Sequence, residues 1–133
     1  ETVSLRYFNV FGERQPTKGS YCSVISVFLN QKKHKKPLTI VGDGNQKRDF
    51  TYVGDVALAN ILAMNSDKVG KGDCINIGTS LPMSVNQIAE LIGGNKKFIQ
   101  ERVEPKLSLE DNGKAKNLLG WKPYTKIKNW LEM

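Results

Sequence analysis

Short apolar strand patterns alternate with helical patterns along the chain, and this alternation limits the possible folds more than any other feature. Val3, Leu5 and Tyr7 alternate with polar residues, as in a strand with one buried face. A helical apolar pattern follows at residues 21–29, and Leu-Thr-Ile-Val at 38–41 has the composition of a short strand. Strands that alternate with helices in this way predict an α/β protein.

The rest of the chain continues the alternation. The helix after residue 53 should bury an apolar face formed by Val53, Val56, Ala57, Ile61 and Met64. The other predicted elements are an extended segment at 48–53, a strand at 75–77, a helix at 85–92 capped by Ser84, a strand at 98–99, a helix at 115–119 ended by Gly120 and a last helix capped by Thr125.

Composition excludes several classes of protein. The chain has 133 residues, of which 39% are hydrophobic and 25% charged, so it can form one sizeable core and is not disordered as a whole. No stretch approaches the roughly 18 consecutive apolar residues of a membrane span, so we expect no membrane partner. Cys22 and Cys74 lack the spacing of a zinc site and should be small buried residues. Two isolated cysteines fit a reducing compartment, and we expect a cytoplasmic protein.

The net charge of +7 permits an anionic partner without identifying one. The densest basic run is Lys32-Lys33-His34-Lys35-Lys36, directly before Pro37. A nucleic-acid-binding patch is one interpretation, and a solvated helix end is the other. No aromatic residue interleaves the run as a base-stacking platform would require, so we expect no nucleic-acid partner.

The segment GDGNQKRDFTYVGD at residues 42–55 is the strongest candidate for chemistry. A glycine-rich turn places Lys47 and Arg48 at the mouth of two extended segments, where a guanidinium can bind a phosphate with paired donors. The alternative is a surface ion pair between Arg48 and Asp49, which would contribute little. The segment matches neither a P-loop nor a GxGxxG fingerprint.

Asn9 is a second candidate, because it stands at the end of a hydrophobic strand and before a loop. Ligands of open α/β sheets bind outside the carboxyl ends of the strands, where an amide can donate to a phosphate or sugar oxygen. An asparagine that only caps the loop is the alternative, and spacing does not separate the two.

Five segments in order resemble the carboxy-terminal half of NAD-dependent nucleotide-sugar epimerases and dehydratases, which are extended short-chain dehydrogenases/reductases. The loop at 13–25 is more similar to UDP-glucose and UDP-N-acetylglucosamine 4-epimerases than to dTDP-glucose 4,6-dehydratases. The matching segments are RYFNVFGERQ at 6–15, GSYCSVI at 19–25, LTIVGDGNQKRDFTYVGDVALA at 38–59, INIG at 75–78 and EPKLSLEDNGKAKNLLGWKP at 104–123.

This resemblance implies the last part of a Rossmann-type NAD-binding fold together with a small α/β substrate-binding subdomain. It implies a terminal Rossmann strand and loop at residues 1–12 and a nucleotide-sugar-binding subdomain at 13–133. The chain would then be a fragment of a longer enzyme, which the resemblance implies is a homodimer that binds NAD and a UDP-sugar or related nucleotide-sugar.

The resemblance also implies roles for individual residues. Tyr7 and Phe8 would lie near the nicotinamide of NAD. The other residues would bind the nucleotide-sugar: Asn9 and Arg48 at the diphosphate, Ser23 and Val24 around the sugar nucleotide, Thr39 and Val41 at the base, Arg102 at a phosphate and Glu104 at the ribose.

The chain departs from the family pattern near Glu104. The family's second phosphate arginine usually precedes the acid by three positions, where this chain has Glu101, and Arg102 lies only two positions before the acid. Leu107 and Glu110 stand where the family often has histidine and alanine.

We expect three further family features upstream of Glu1. They are the glycine-rich NAD fingerprint, a catalytic serine or threonine and a Tyr-x-x-x-Lys pair. Tyr124 and Lys128 have the spacing of that pair but lie in the family's terminal segment. We therefore predict an inactive fragment that anchors the nucleotide, with no metal site. A 4,6-dehydratase part and a basic nucleic-acid-binding module are the alternatives.

Overall fold

A computed structural model describes residues 1–19, 21–108 and 110–132. It confirms the alternation of strands and helices. The elements in chain order are β1 (Thr2–Tyr7), β2 (Val10–Phe11), α1 (Val24–Lys33), β3 (Leu38–Val41), β4 (Lys47–Arg48), β5 (Thr51–Tyr52), α2 (Val53–Met64), β6 (Lys71–Ile77), β7 (Met83–Ser84), α3 (Val85–Ile92), β8 (Lys96–Ile99), α4 (Gly113–Leu119) and α5 (Ile127–Leu131).

β1 and β6 form a parallel pair whose register places Leu5 opposite Ile75 and Tyr7 opposite Ile77. Helices α2 and α4 pack against this pair and bury its apolar residues. Trp121, which follows α4, is 1% exposed and donates from Nε1 to the carbonyl of Asp55 at 2.8 Å. This first core therefore joins the start of the chain to residues near its end.

A second core forms around the parallel pair β3 and β8. Helices α1, α3 and α5 cover it, and its central side chains include Phe28, Ile40 and Ile88. The short parallel pair β2–β5 joins the two cores, because Val10 packs against the first core and Phe11 lies in the second. The short antiparallel pair β4–β7 lies beside the second core, against which Met83 packs. The residues that follow β1 and β4 lie close together, since Asn9 donates to the carbonyl of Asp49.

The capping residues of two helices follow the sequence. Ser84 begins α3 with a capping box, in which its Oγ accepts from the Gln87 amide and the Gln87 side chain accepts from the Ser84 amide. Gly120 ends α4 in the left-handed conformation, at φ 64°. Both caps confirm the predicted boundaries.

Other boundaries differ from the predictions. Helix α1 begins at Val24 with Ser23 as its cap, so Tyr21 lies outside the helix and is 94% exposed. Lys126, not Thr125, caps α5, because the Thr125 amide donates to Asp55 Oδ2 at 2.9 Å. A long-range carboxylate here overrides the local capping preference.

The buried face of α2 also differs from the prediction. Val56, Ala59 and Ala63 are buried, whereas Ile61 and Met64 are 54% and 79% exposed. The smaller alanines face the β1–β6 pair because they let the helix lie close to the strands. The cysteine prediction was wrong as well: both are free thiols, but Cys74 is exposed and Cys22 only half-buried.

The predicted division at residue 12 stays a prediction. The division assigns only residues 1–12 to the part that contains β1. In the structure β6 pairs with β1, and helices α2 and α4 cover both strands, so these later elements pack with β1 as well. A division by cores would separate residues near β1, α2, β6 and α4 from the segments around β3 and β8. None of the helices within the described ranges is long and apolar enough to cross a bilayer.

Candidate nucleotide-binding cleft

The turn between β3 and β4 forms one wall of a cleft. Asp43 Oδ1 accepts from the Asn45 amide at 2.9 Å, which closes the turn. Gly44 has a φ of 73°, and a Cβ on it would collide with the Asn86 side chain. The turn therefore needs glycine at this position, both for its backbone conformation and for the close approach of α3.

The cleft has a volume of about 110 Å³ and lies between this turn and the segment 101–106. Its lining combines one apolar residue with several polar and charged ones of both signs. Those that bear on ligand binding are Val41, Gln46, Glu101, Arg102, Glu104 and Lys106. The structure thus brings three predicted site residues, at 41, 102 and 104, to one cavity.

Arg48 lies at the edge of this cleft and pairs with Glu104. Arg48 Nη2 donates to Glu104 Oε2 at 2.7 Å, and Gln46 Nε2 donates to Glu104 Oε1 at 3.2 Å. Arg48 Nη1 also donates to the carbonyl of Lys47 at 2.9 Å. The Arg48 side chain is only 17% exposed, so its charge is partly desolvated beside the cleft.

The segment after Glu104 extends the short β4–β7 pair. The Lys47 amide donates to the carbonyl of Lys106 at 2.8 Å, and the Ser108 amide donates to the carbonyl of Lys47 at 3.0 Å. β4 is therefore bonded on both edges. This pairing fixes the distance between Arg48 and the carboxylate of Glu104, which come from segments far apart in sequence.

Asp49 anchors the strand that carries Arg48, a role that the sequence analysis missed. Its side chain is fully buried, and its Oδ1 accepts from the amide and the hydroxyl of Thr79. Its Oδ2 accepts from the Ser80 amide at 2.8 Å. The predicted alternative, an Arg48–Asp49 surface pair, is wrong because each side chain bonds to a different partner.

Asn9, which lies between β1 and β2, supports the same strand. Its Nδ2 donates to the carbonyl of Asp49 at 2.8 Å, and its own carbonyl accepts from the Thr51 amide at 3.4 Å. Asn9 also has a φ of 34°, in a region where few non-glycine residues lie. Such backbone strain clusters at functional sites. The side chain of Asn9 therefore fixes the loop, and this bond uses one of the two hydrogens on its Nδ2.

Burial raises the pKa of the Glu110 carboxyl, and the neighbouring charge of Asp49 acts in the same direction. Glu110 is 4% exposed, and its Oε1 accepts from the Asp111 amide at 2.9 Å. Its side chain packs against Gly78, where any Cβ would collide with it. The sequence gives no signal for this packing beyond the departure from the family's alanine.

Thr39, Ser23 and Val24 are not brought to this cleft. The Thr39 hydroxyl accepts from Gln31 Nε2 at 2.7 Å, so it faces α1. Ser23 caps α1 and donates from Oγ to Gln15 Oε1 at 3.1 Å. Val24 packs against the second core. Their predicted roles in binding the base and the sugar nucleotide stay predictions.

Tyr7 and Phe8 lie at the carboxyl end of β1. The Tyr7 hydroxyl donates to Asn60 Oδ1 on α2 at 2.9 Å, and the Phe8 amide donates to the carbonyl of Ile77 at 3.3 Å. The carboxyl ends of two parallel strands therefore meet here, as in dinucleotide-binding sheets. This position suits a cofactor site shared with further strands.

A larger groove of about 470 Å³ lies between residues 79–83 and 123–128. Its lining is mainly apolar, with Leu81, Met83 and Tyr124 among the contributing side chains. Within the described residues it lacks the arginine–carboxylate pair of the first cleft. The described part of the chain also holds no group of three or more possible metal ligands.

Comparisons with known proteins identify the family. A profile of the NAD dependent epimerase/dehydratase family matches residues 1–78. The chain belongs to the NAD-dependent epimerase/dehydratase family. Its α/β fold is accordingly the Rossmann-like fold of such enzymes, as the sequence predicts.

Individual relatives cover nearly the whole chain. A Methanocaldococcus jannaschii protein assigned as a UDP-glucose 4-epimerase is 39% identical, over 99% of this chain and 46% of its own length. The UDP-glucuronic acid decarboxylase 1 of Xenopus tropicalis is 34% identical, over 95% of this chain and 30% of its own length. The chain thus spans less than half the length of these curated relatives.

Two solved epimerase structures also match nearly the whole chain. The UDP-glucose 4-epimerase of Thermotoga maritima with UDP-glucose superposes with a TM-score of 0.86 at 35% identity, over 98% of this chain and 43% of the other. The UDP-glucuronic acid 4-epimerase of Bacillus cereus, in complex with UDP-glucuronic acid and NAD, superposes with a TM-score of 0.87 at 34% identity, over 98% of this chain and 42% of the other.

Proposed function

We propose that this chain is the nucleotide-sugar-binding part of an NAD-dependent UDP-hexose 4-epimerase. The observation that carries the proposal is the partly desolvated Arg48 at the edge of a polar cleft, held beside Glu104 by pairing between β4 and residues 106–108. A diphosphate needs charge-assisted donors, and a ribose needs an acceptor a short distance away. The cleft supplies both.

Each residue then has a part in binding. Arg48 would bind the diphosphate with its planar fork, and Glu104 would accept from the ribose hydroxyls. Val41 would provide an apolar contact for the base at the other end of the cleft. Arg102 would add a second cation, since it lines the same cavity. Asn9 would donate its remaining amide hydrogen to the diphosphate or sugar.

Three residues take their proposed roles from family resemblance. These are Thr39 at the base, and Ser23 and Val24 around the sugar nucleotide. Their contacts with α1 and the second core leave them outside the described cleft, so these roles would require the ligand to extend beyond it.

The cofactor of the complete enzyme is NAD, in keeping with the family and with the solved relatives. Tyr7 and Phe8 would flank its nicotinamide end, at the carboxyl ends of β1 and β6. Bound NAD would supply the hydride acceptor and donor for the sugar. The residues of this chain hold the nucleotide while the sugar ring turns, so remote binding energy positions the reacting group.

A second candidate is a UDP-glucuronate decarboxylase or a nucleotide-sugar dehydratase of the same family. The similarity to the Xenopus tropicalis decarboxylase favours it, because that protein matches almost the same share of the chain. The nucleotide-binding cleft serves either reaction. The reaction itself would be decided by the catalytic residues, which we place outside this chain.

The complete protein containing this chain tests the proposal. With NAD present, we expect the complete protein to interconvert UDP-glucose and UDP-galactose. Chromatography of the nucleotide sugars measures the conversion. Formation of UDP-xylose from UDP-glucuronate, without any epimerisation, would favour the second candidate. No reaction with any UDP-sugar would contradict the proposed function.

The 133-residue chain by itself should be inactive and should not bind NAD tightly. We also expect it to self-associate, because β1 pairs with β6 alone among the described residues and its other edge can pair with another strand. In the complete protein we propose a cytoplasmic homodimer. Turnover by the purified chain would contradict this assignment of roles.

A further inference from the structure

Gln46 connects the cleft's turn to Glu104. Its Nε2 donates both to the carbonyl of Val41 at 3.0 Å and to Glu104 Oε1 at 3.2 Å. An amide nitrogen has two hydrogens, so one side chain makes both contacts. Val41 is the last residue of β3, which places one end of this connection on a paired strand.

The two oxygens of Glu104 are bonded differently. Oε2 accepts from Arg48, and Oε1 accepts from Gln46. A diphosphate bound to Arg48 would compete for the guanidinium and release Oε2. Oε1 would keep its bond to Gln46, because that bond involves no group that the diphosphate needs.

We propose that Gln46 is a positioning residue, which holds the Glu104 carboxylate in the orientation that accepts ribose hydroxyls when a nucleotide diphosphate occupies Arg48. The inference rests on the proposed function and deepens it, because it assigns the cleft a preference for ribose over deoxyribose. A glutamate side chain on an exposed segment otherwise loses rotamer freedom on binding. The bond to Gln46 reduces that loss before the nucleotide arrives.

The preference for ribose is a readout that a merely structural role would not change. If Gln46 only stabilised the turn, its removal would lower the affinities for UDP and for 2′-deoxy-UDP by the same factor. If Gln46 orients Glu104, its removal lowers the affinity for UDP more than the affinity for 2′-deoxy-UDP. A hydrogen bond to a charged group can change affinity by roughly tenfold, so the effect is measurable even for weak ligands.

The experiment titrates the complete protein that contains this chain with UDP and with 2′-deoxy-UDP, and isothermal titration calorimetry measures the affinity for each nucleotide. Gln46→Met keeps the length of the side chain and removes the donor, and Gln46→Glu keeps its shape and repels Glu104. Gln87→Met is the matched control, since it makes the same chemical change at the capping box of α3. Thermal unfolding of each variant verifies that it is folded.

We expect the wild-type complete protein to prefer UDP by about tenfold, and both Gln46 variants to reduce this preference to about twofold or less. Gln87→Met should lower the melting temperature and keep the preference. A Gln46→Met protein that retains the full preference, or a wild-type protein that binds both nucleotides equally, would overturn the role of Gln46. A wild-type protein that binds neither nucleotide would contradict the proposed function as well.

Discussion

The guanidinium of Arg48 and the carboxylate of Glu104 lie 2.7 Å apart, although 56 positions separate them in sequence. Both are proposed to bind parts of one nucleotide, the diphosphate and the ribose. Binding would therefore exchange one partly exposed ion pair for two contacts with the ligand. Because a partly exposed pair contributes little, the exchange costs little.

Replacing Arg48 with alanine should weaken binding of a UDP-sugar by roughly 2–4 kcal/mol, because a charged, hydrogen-bonded partner of the diphosphate is lost. Arg48→Lys should recover only part of the affinity, since lysine keeps the charge and loses the planar fork. NAD binding in the complete protein should hardly change. Calorimetric titration with UDP-sugar and NAD separately measures these effects.

Arg14→Ala provides a matched control for that titration, because Arg14 is exposed and lines a different groove. It should bind UDP-sugars like the wild type. If Arg48→Ala also binds like the wild type, Arg48 does not hold the diphosphate. Lys47 or Arg102 would then be the next candidates.

Replacing Asp49 with alanine should destabilise the fold by roughly 2–4 kcal/mol, because the amides of Thr79 and Ser80 lose a buried acceptor. Asp49→Asn should recover part of this loss, since one amide oxygen remains to accept. Urea unfolding measures the free energy of unfolding of each variant. Asp67→Ala, at an exposed position, should have little effect. Equal stability of the two alanine variants would refute the anchoring role of Asp49.

The two tryptophans make different contributions to stability. Trp121→Phe should cost roughly 1–3 kcal/mol, because it removes a buried bond to Asp55 and leaves space in the first core. Trp130→Phe should cost less, because Trp130 is only half-buried and its Nε1 donates to the exposed Glu13 carboxylate. Chemical unfolding of both variants gives the comparison. A larger loss at position 130 would contradict it.

The buried Glu110 carboxyl should make stability depend on pH. Its raised pKa means that the folded state holds the proton more tightly than the unfolded state. The stability that protonated Glu110 contributes is therefore fully present below the pKa of Glu110 in the unfolded state. It is lost as the pH rises through the pKa of Glu110 in the folded state. Glu110→Gln removes this loss. The advantage of the Gln variant over wild type in free energy of unfolding should therefore grow as the pH rises above 4.5, the ordinary pKa of a glutamate. A constant difference would mean that Glu110 does not titrate differently on folding.

Local patterns predicted much of the fold. Ser84 and Gly120 mark their helix ends through capping that depends only on neighbours in sequence, and both were confirmed. Thr125 failed as a cap because Asp55, seventy residues away, binds its amide. The face of α2 was misassigned because periodicity ranks Ile61 above Ala59, whereas close packing on the strands selects the smaller residue.

The site was predicted in part. Arg48 was identified by its place beside a glycine-rich turn, and Val41, Arg102 and Glu104 by family resemblance. These four meet at the cleft and its edge. The hydrogen bonds of Asp49 and Gln46 were missed, because they depend on groups that only the folded chain brings near. A side chain that acts through the backbone of another segment leaves no spacing to detect.

The most direct test is an NMR map of the complete protein that contains this chain, isotope-labelled and titrated with UDP-glucose. We predict that the cleft binds the nucleotide, so that within this chain the largest amide shifts fall in residues 41–48 and 101–106, which form the two walls of the cleft. Shifts confined to the apolar groove between 79–83 and 123–128, or to the basic run at 32–36, would contradict it. A spectrum unchanged by UDP-glucose would contradict it equally.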